Sequence, residues 1–68
     1  MQKYKHYKGT IYELICIATH SENDEKLVIY QSEEGKAFAR PYDMFFEKIE
    51  INGKSIPRFE EIKQDPSQ

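Results

Sequence analysis

Apolar and polar residues alternate along most of the chain, a pattern typical of β-strands whose two faces have different surroundings. The longest strand-like run, TIYELICIATH at residues 10–20, departs from this alternation, because both of its faces are largely apolar and Glu13 is the one charged residue. A long strand with two apolar faces predicts a bend, where the strand is shared between two halves of a small barrel.

Turn-forming residues divide the middle of the chain into short strands. SENDE (21–25) and SEEGK (32–36) are rich in residues that favour turns, and they flank an apolar strand, KLVIYQ (26–31). A further short strand, AFAR (37–40), ends at a proline. The pattern therefore predicts two successive hairpins.

The last third of the chain predicts one helical turn and one more hairpin. RPYDMFFEK (40–48) has aromatic residues at helical spacing, so we expect a single turn that plugs an end of the sheet with Met44 and Phe45. Asn52-Gly53 between alternating isoleucines is the preferred pair of a type I′ turn. Pro57 then makes the following strand an edge strand or ends it early.

These elements predict a mainly β protein, a small twisted antiparallel SH3-like barrel of four to five strands with one short helical turn. We expect residues 1–62 to form this single domain and residues 63–68 to be a flexible C-terminal tail. Since a chain of this size buries only about 60% of its unfolded surface, the core must be small. A large enclosed active-site cavity within one copy is thereby excluded.

Composition narrows the class further. Apolar residues make up 38% and aromatic residues 13% of the 68 residues, which indicates a globular chain. The net charge of −2 gives no general attraction to nucleic acid or anionic membranes. The run LICIA (14–18) is too short to span a membrane, so we expect a cytoplasmic protein. Cys16, alone and inside that run, predicts a buried thiol in a reducing compartment.

The tripeptide His20-Ser21-Glu22 is the first candidate functional feature. A histidine near a carboxylate suits a general base or a metal ligand, but no nucleophile motif surrounds Ser21. Two histidines and one cysteine also make no familiar metal-ligand spacing. We therefore predict no metal, no cofactor and no catalytic residue, and interpret the tripeptide as a hairpin tip that is structural or recognises a partner.

Arg40 is the second candidate. An arginine before a proline is extended, and at a strand end it can aim its guanidinium at a carboxylate or a phosphate. The alternative is an internal ion pair with Glu22, Glu13 or Asp43. A cluster of Arg40, His20 and Glu22 at one end of the barrel is the predicted polar pocket.

The N-terminal KYKHYK (3–8) is the third candidate, because lysines can contact phosphates while the interleaved rings stack on bases. Three charges give only weak affinity, and the alternative is a solvated first strand with Tyr7 packed inward. Tyrosines such as Tyr30 are candidates for an aromatic peptide groove, although a small core needs most of them. Arg58-Phe59 is interpreted as an edge-strand anchor. The predicted binding residues are His20, Ser21, Glu22, Arg40, Tyr7, Lys8 and Tyr30.

Short blocks distributed along nearly the whole chain resemble those of one family. The blocks are YKHYKG (4–9), Tyr12, HSE (20–22), LVIY (27–30), Arg40-Pro41, Met44-Phe45, Gly53 and PRF (57–59). The sequence resembles the small bacterial family catalogued as domain of unknown function 1653. The resemblance implies a small β-rich bacterial protein, and it implies no activity.

Two classes of function stay open on this sequence, and it does not decide whether the protein is an enzyme. The leading hypothesis, from fold analogy, is a non-catalytic binding module that recognises a protein or nucleic-acid partner. The alternative is a small enzyme or enzyme subunit with His20 as acid–base and Arg40 holding an anion in a pocket shared across a homodimer. A structural homodimer through the edge strand near Pro57 is a third option.

Overall fold

The computed structural model describes residues 2–63, and within this range the chain is almost entirely β-structure. The elements are β1 (Lys3–His6), β2 (Ile11–Thr19), β3 (Lys26–Ser32), β4 (Ala37–Pro41), α1 (Tyr42–Phe45), β5 (Lys48–Ile51), β6 (Lys54–Pro57) and β7 (Phe59–Ile62). The predicted mainly β class with one short helical turn is confirmed. Of the predicted flexible tail, residues 64–68 lie outside the described residues.

Five strands form one antiparallel sheet in the order β4-β3-β2-β1-β7, while β5 and β6 pair as a separate hairpin. In the hairpin, Asn52 and Gly53 have φ angles of +52° and +79°. Two positive φ values are what a type I′ turn requires, so the predicted turn forms, and β6 ends at Pro57 as expected.

The long strand β2 carries a bulge. Leu14 lies opposite Tyr30, but Cys16 lies opposite Ile29, so β2 has one extra residue between these two pairs. A bulge of this kind bends a strand and increases its twist. The strand that was predicted to bend therefore contains a bulge, and both halves of β2 belong to the same sheet rather than to two halves of a barrel.

The five-stranded sheet is strongly curled. The rings of Tyr30 on β3 and Phe59 on β7 lie 5.4 Å apart between centroids, although two other strands separate them in the sheet. Three strand spacings would hold them roughly 14 Å apart in a flat sheet. The Arg40 guanidinium of β4 also lies 5.6 Å from the Phe59 ring, so side chains of the two edge strands meet. Within residues 2–63 the strand pairs do not close into a ring, and the SH3-like barrel stays a prediction.

A largely aromatic core fills the concave side of this curl. Its buried members are Tyr4, Val28, Tyr30, Phe45 and Phe59. The helical turn contributes Phe45, which is fully buried and stacks on Phe59 at 4.1 Å with an interplanar angle of 6°. The predicted plug is therefore Phe45 alone. Met44 is 46% exposed, since a turn of four residues presents only one side to the sheet.

The prediction that the Cys16 thiol is buried is wrong, because Cys16 is exposed. The bulge changes its face: directly paired residues share a face, so Leu14 joins the core face of Tyr30, whereas Cys16 joins the opposite face with Ile29. The aromatic core lies on the other side of the sheet. This half of β2 is exposed on the core face as well, since Ile17 opposite Val28 is 45% exposed. No helix within residues 2–63 is long and apolar enough to cross a membrane.

Candidate functional site

His20 lies at the tip of the β2–β3 hairpin and is held by local bonds. Its Nδ1 accepts the backbone N–H of Glu22 at 3.1 Å. Its own backbone donates to the carbonyl of Glu25 at 2.8 Å and accepts from the N–H of Asp24 at 2.9 Å. Ser21 and Glu22 are exposed. These contacts give His20 a clear role in shaping the turn.

Arg40 has contacts of a different kind from those expected. Its Nε donates to the Tyr30 hydroxyl at 3.3 Å, and its guanidinium lies over the Phe59 ring. Within residues 2–63 it forms no ion pair with a carboxylate, so the expected pairing with Glu22, Glu13 or Asp43 is wrong. Within residues 2–63 no contact joins Arg40 to His20 or Glu22, so the predicted cluster of these three residues does not form. Buried Tyr30 acts here as a support that positions Arg40.

His6, at the end of β1, is a residue that the sequence prediction did not select. Its Nδ1 accepts the backbone N–H of Lys8 at 3.1 Å, which leaves the proton of the neutral imidazole on Nε2. Its ring lies 4.9 Å from the ring of Phe59 and 4.5 Å from that of Tyr7. Burial lowers the pKa of His6 below its usual range, and the charges of Arg40, Arg58 and Lys8 lower it further.

Arg58 connects the end of β6 to the start of β7 and is also fixed in place. Its Nε and Nη2 donate to Oε1 of Glu47 at 3.1 and 2.8 Å. Its backbone N–H donates to the Glu47 carbonyl at 3.0 Å, and its carbonyl accepts from the N–H of Tyr7 at 3.0 Å. These bonds attach the N-terminal strand to the segment that precedes β7.

The structure thus brings five residues from both ends and the middle of the chain to one surface. We call this set, His6, Tyr7, Lys8, Arg40 and Arg58, the cationic face. Phe59 lies beneath it, in contact with His6 and with the Arg40 guanidinium. Of the predicted binding residues, Tyr7, Lys8 and Arg40 lie on this face and Tyr30 supports it, whereas His20, Ser21 and Glu22 lie at the hairpin tip.

Sequence reasoning missed His6 and Arg58 because the cationic face depends on a pairing between distant parts of the chain. His6 lies directly opposite Phe59 in the β1–β7 ladder. The only local signals were the basic KYKHYK and the arginine before Phe59, and each had an ordinary structural explanation. Nothing in either segment indicates that they become neighbours.

A shallow hollow adjoins the cationic face. It has a volume of about 270 Å³ and shares two residues with the face. Its lining residues are Lys5, His6, Tyr7, Ile56, Pro57 and Glu60. The hollow therefore combines two aromatic rings, an apolar wall and one carboxylate beside a surface of positive charge.

The donors on the cationic face suit an anion. Guanidinium groups bind carboxylates and phosphates through parallel N–H bonds, and neutral His6 adds an N–H donor at Nε2. Within residues 2–63, no three histidine, cysteine, aspartate or glutamate side chains lie close enough together to hold a metal ion.

The fold and the site define a class: a small, mainly β domain with one cationic, aromatic-backed surface. A family profile matches residues 2–61, and the chain belongs to that family, which is described as Protein of unknown function (DUF1653). The resemblance read from the sequence is confirmed. Searches of curated proteins and of solved structures each found no match.

Proposed function

We propose that the protein is a non-catalytic binding module whose cationic face recognises an anionic partner, either a protein or a nucleic acid. The observation that carries this proposal is the convergence of three cationic residues near His6: the Arg40 guanidinium and the His6 ring both pack on Phe59, the Lys8 N–H donates to His6 Nδ1, and the Arg58 carbonyl accepts from Tyr7. Among residues 2–63, Glu47 forms an ion pair with Arg58 and none with Arg40 or Lys8. The remaining positive charge favours an anion at this surface.

The two arginines are ordered before any partner arrives. Arg40 rests on Phe59 and is bonded through Nε to Tyr30, which directs its Nη groups away from that bond. Arg58 is held by two bonds to Glu47. A side chain that is already fixed loses less conformational entropy on binding, so even a small set of charges contributes usefully to affinity.

The acidic residues of the chain support a local rather than a general attraction. Several of them lie exposed in the β2–β3 and β3–β4 turns, namely Glu22, Asp24, Glu25, Glu33 and Glu34. With a net charge of −2, the whole molecule does not attract polyanions. A partner would therefore bind in one orientation, with its anionic group on the cationic face. In this proposal the protein works in the cytoplasm.

The enzyme hypothesis has less support, because it requires His20 and Arg40 to share one pocket. His20 bonds within the hairpin tip, and Arg40 bonds to Tyr30 and packs on Phe59. Their contacts are separate. A homodimer through the edge near Pro57 stays a prediction, and it is compatible with a binding module.

The test is direct titration of the full chain with two labelled polyanions, a single-stranded twelve-nucleotide DNA and a twelve-residue polyglutamate, followed by fluorescence anisotropy. We expect binding to at least one of them, weakened about 10-fold by Arg40→Gln because a charged hydrogen bond is lost. For a DNA ligand held by three cations, the slope of log affinity against log salt should be about −2, and Arg40→Gln should reduce its magnitude by about 0.7.

Lys54→Gln is the matched control, since Lys54 is an exposed lysine on β6 and its loss changes the net charge by the same amount. It should leave the affinity unchanged. Absence of binding to both polyanions, or equal weakening by the two variants, would contradict the proposal. Circular dichroism of each variant verifies that the fold is retained.

A further inference from the structure

The hollow beside the cationic face has the size and the walls for one planar ring. Its volume of about 270 Å³ lies just below the roughly 300–1,000 Å³ of pockets that take drug-sized ligands. Ile56 and Pro57 form an apolar side, and the rings of His6 and Tyr7 form an aromatic side. A flat heterocycle fits such a hollow better than a flexible chain does.

Tyr7 has the exposure needed to stack on such a ring. It is 37% exposed, and its ring lies 4.5 Å from that of His6 at a tilt of 34°. The Lys8 ammonium lies 5.8 Å from the Tyr7 ring centroid. An aromatic platform beside a lysine is the combination with which proteins hold a base and its neighbouring phosphate.

Glu60 distinguishes between anionic partners. Its side chain lines the hollow and is exposed, and it lies directly opposite Lys5 in the β1–β7 ladder. A carboxylate there accepts a hydrogen bond from the amino group of a base, whereas an ionised acidic side chain has no donor to offer it. Since Lys5 in the same lining offsets the charge of Glu60, this hydrogen bond is what favours a nucleobase over polyglutamate.

A base can enter the hollow only if it leaves its stack. In a duplex the bases are paired and stacked, whereas in a single strand they turn outward at little cost. A single strand also lets its flexible backbone follow Lys8, Arg58 and Arg40 while one base stacks on Tyr7.

We infer that the anionic partner is a single-stranded nucleic acid, with one base in the hollow against Tyr7 and its adjoining phosphates on the cationic face. This inference rests on the proposed function, to which it adds the class of partner and the residue that stacks on the base, Tyr7.

The experiment compares four labelled probes on the full chain at low salt and neutral pH. They are a twelve-nucleotide oligodeoxycytidylate, an abasic strand with the same number of phosphates, a duplex of the same length and a polyglutamate of equal charge. Cytosine is used because its amino group can donate to Glu60. We expect the oligodeoxycytidylate to bind about 5- to 150-fold more tightly than the abasic strand, the range that stacking of one base provides. The duplex and the peptide should bind no better than the abasic strand.

Tyr7→Leu should reduce the affinity for the oligodeoxycytidylate to within about 2-fold of that for the abasic strand, and it should weaken binding of the oligodeoxycytidylate far more than binding of the abasic strand, because Tyr7 contributes a ring and no charge. Tyr42→Leu is the matched control, because Tyr42 is similarly exposed at 40% and lies on α1, away from the lining of the hollow. It should change neither affinity.

The outcomes separate this inference from the proposed function. Equal affinity for the abasic strand and the oligodeoxycytidylate, or preference for the peptide or the duplex, would overturn the nucleobase inference while the cationic face still binds an anion. Loss of all binding, or binding insensitive to Arg40→Gln, would overturn the proposed function itself.

Discussion

The two histidines of the chain stand in the same local motif and in different surroundings. In each case Nδ1 accepts the backbone N–H of the residue two positions later, at 3.1 Å, from Lys8 to His6 and from Glu22 to His20. His20 is flanked by the exposed acids of a hairpin tip. His6 packs on Phe59 among three cations. The local sequence sets the turn, and the tertiary contacts decide whether the imidazole joins a site.

The largest expected effect follows from the support beneath His6. Phe59 is buried and contacts His6, Phe45 and the Arg40 guanidinium, so Phe59→Ala should lower the free energy of unfolding by about 3–5 kcal/mol. A domain of this size has about 3–10 kcal/mol in total, so the variant should be partly or wholly unfolded. Urea unfolding followed by circular dichroism measures the change.

Ile51→Ala is the control for this substitution, since Ile51 is exposed on the small hairpin. It should cost about 1 kcal/mol or less. A comparably small loss for Phe59→Ala would mean that the aromatic core does not hold the two edge strands together, and the cationic face would lose its structural basis.

The second prediction concerns pH. Because the pKa of folded His6 is lower than the ordinary value of 6.5, the unfolded chain binds more protons than the folded chain at pH values between the two. The free energy of unfolding therefore rises with pH in this window: the contribution is fully present above about pH 6.5 and is lost as the pH falls towards the folded pKa.

Comparison with His6→Asn isolates this effect, because the asparagine Oδ1 can still accept the Lys8 N–H while nothing titrates. The difference in unfolding free energy between wild type and His6→Asn should decrease as the pH is lowered from roughly 8 to 5. His20→Asn is the matched control. A difference for His6→Asn that is constant with pH, or that increases on acidification, would show that burial and the neighbouring cations do not lower the pKa of His6 in the folded chain.

As with the two histidines, features set by neighbouring residues could be predicted from the sequence, and features set by tertiary pairing could not. The Asn52-Gly53 turn depends on neighbouring residues, and the burial of Phe45 follows from helical spacing, so both could be predicted from the sequence. Cys16 was misplaced because alternation assumes an unbroken register, and the bulge after Leu14 reverses the faces.

Only part of the candidate site could be predicted from the sequence. Arg40 and Tyr7 carry local signals of function, an arginine before a proline and a tyrosine among lysines. That they share a surface depends on the curl of the sheet and on the pairing of β1 with β7, which joins the two ends of the chain. Long-range pairing of this kind has no local signature, so attention went to His20, where histidine, serine and glutamate are adjacent in the sequence.

The smallest expected effect concerns that residue. His20→Ala removes one hydrogen bond to the Glu22 N–H at the surface, which should cost about 1 kcal/mol or less in urea unfolding. His20→Asn should recover most of this loss, because Asn23 in the same turn already accepts the Glu25 N–H through Oδ1 at 2.9 Å. Neither variant should alter the affinity for a polyanion that binds at the cationic face. If His20→Asn folds with normal stability but binds less tightly, the hairpin tip belongs to the recognition surface, and the two histidines act together rather than apart.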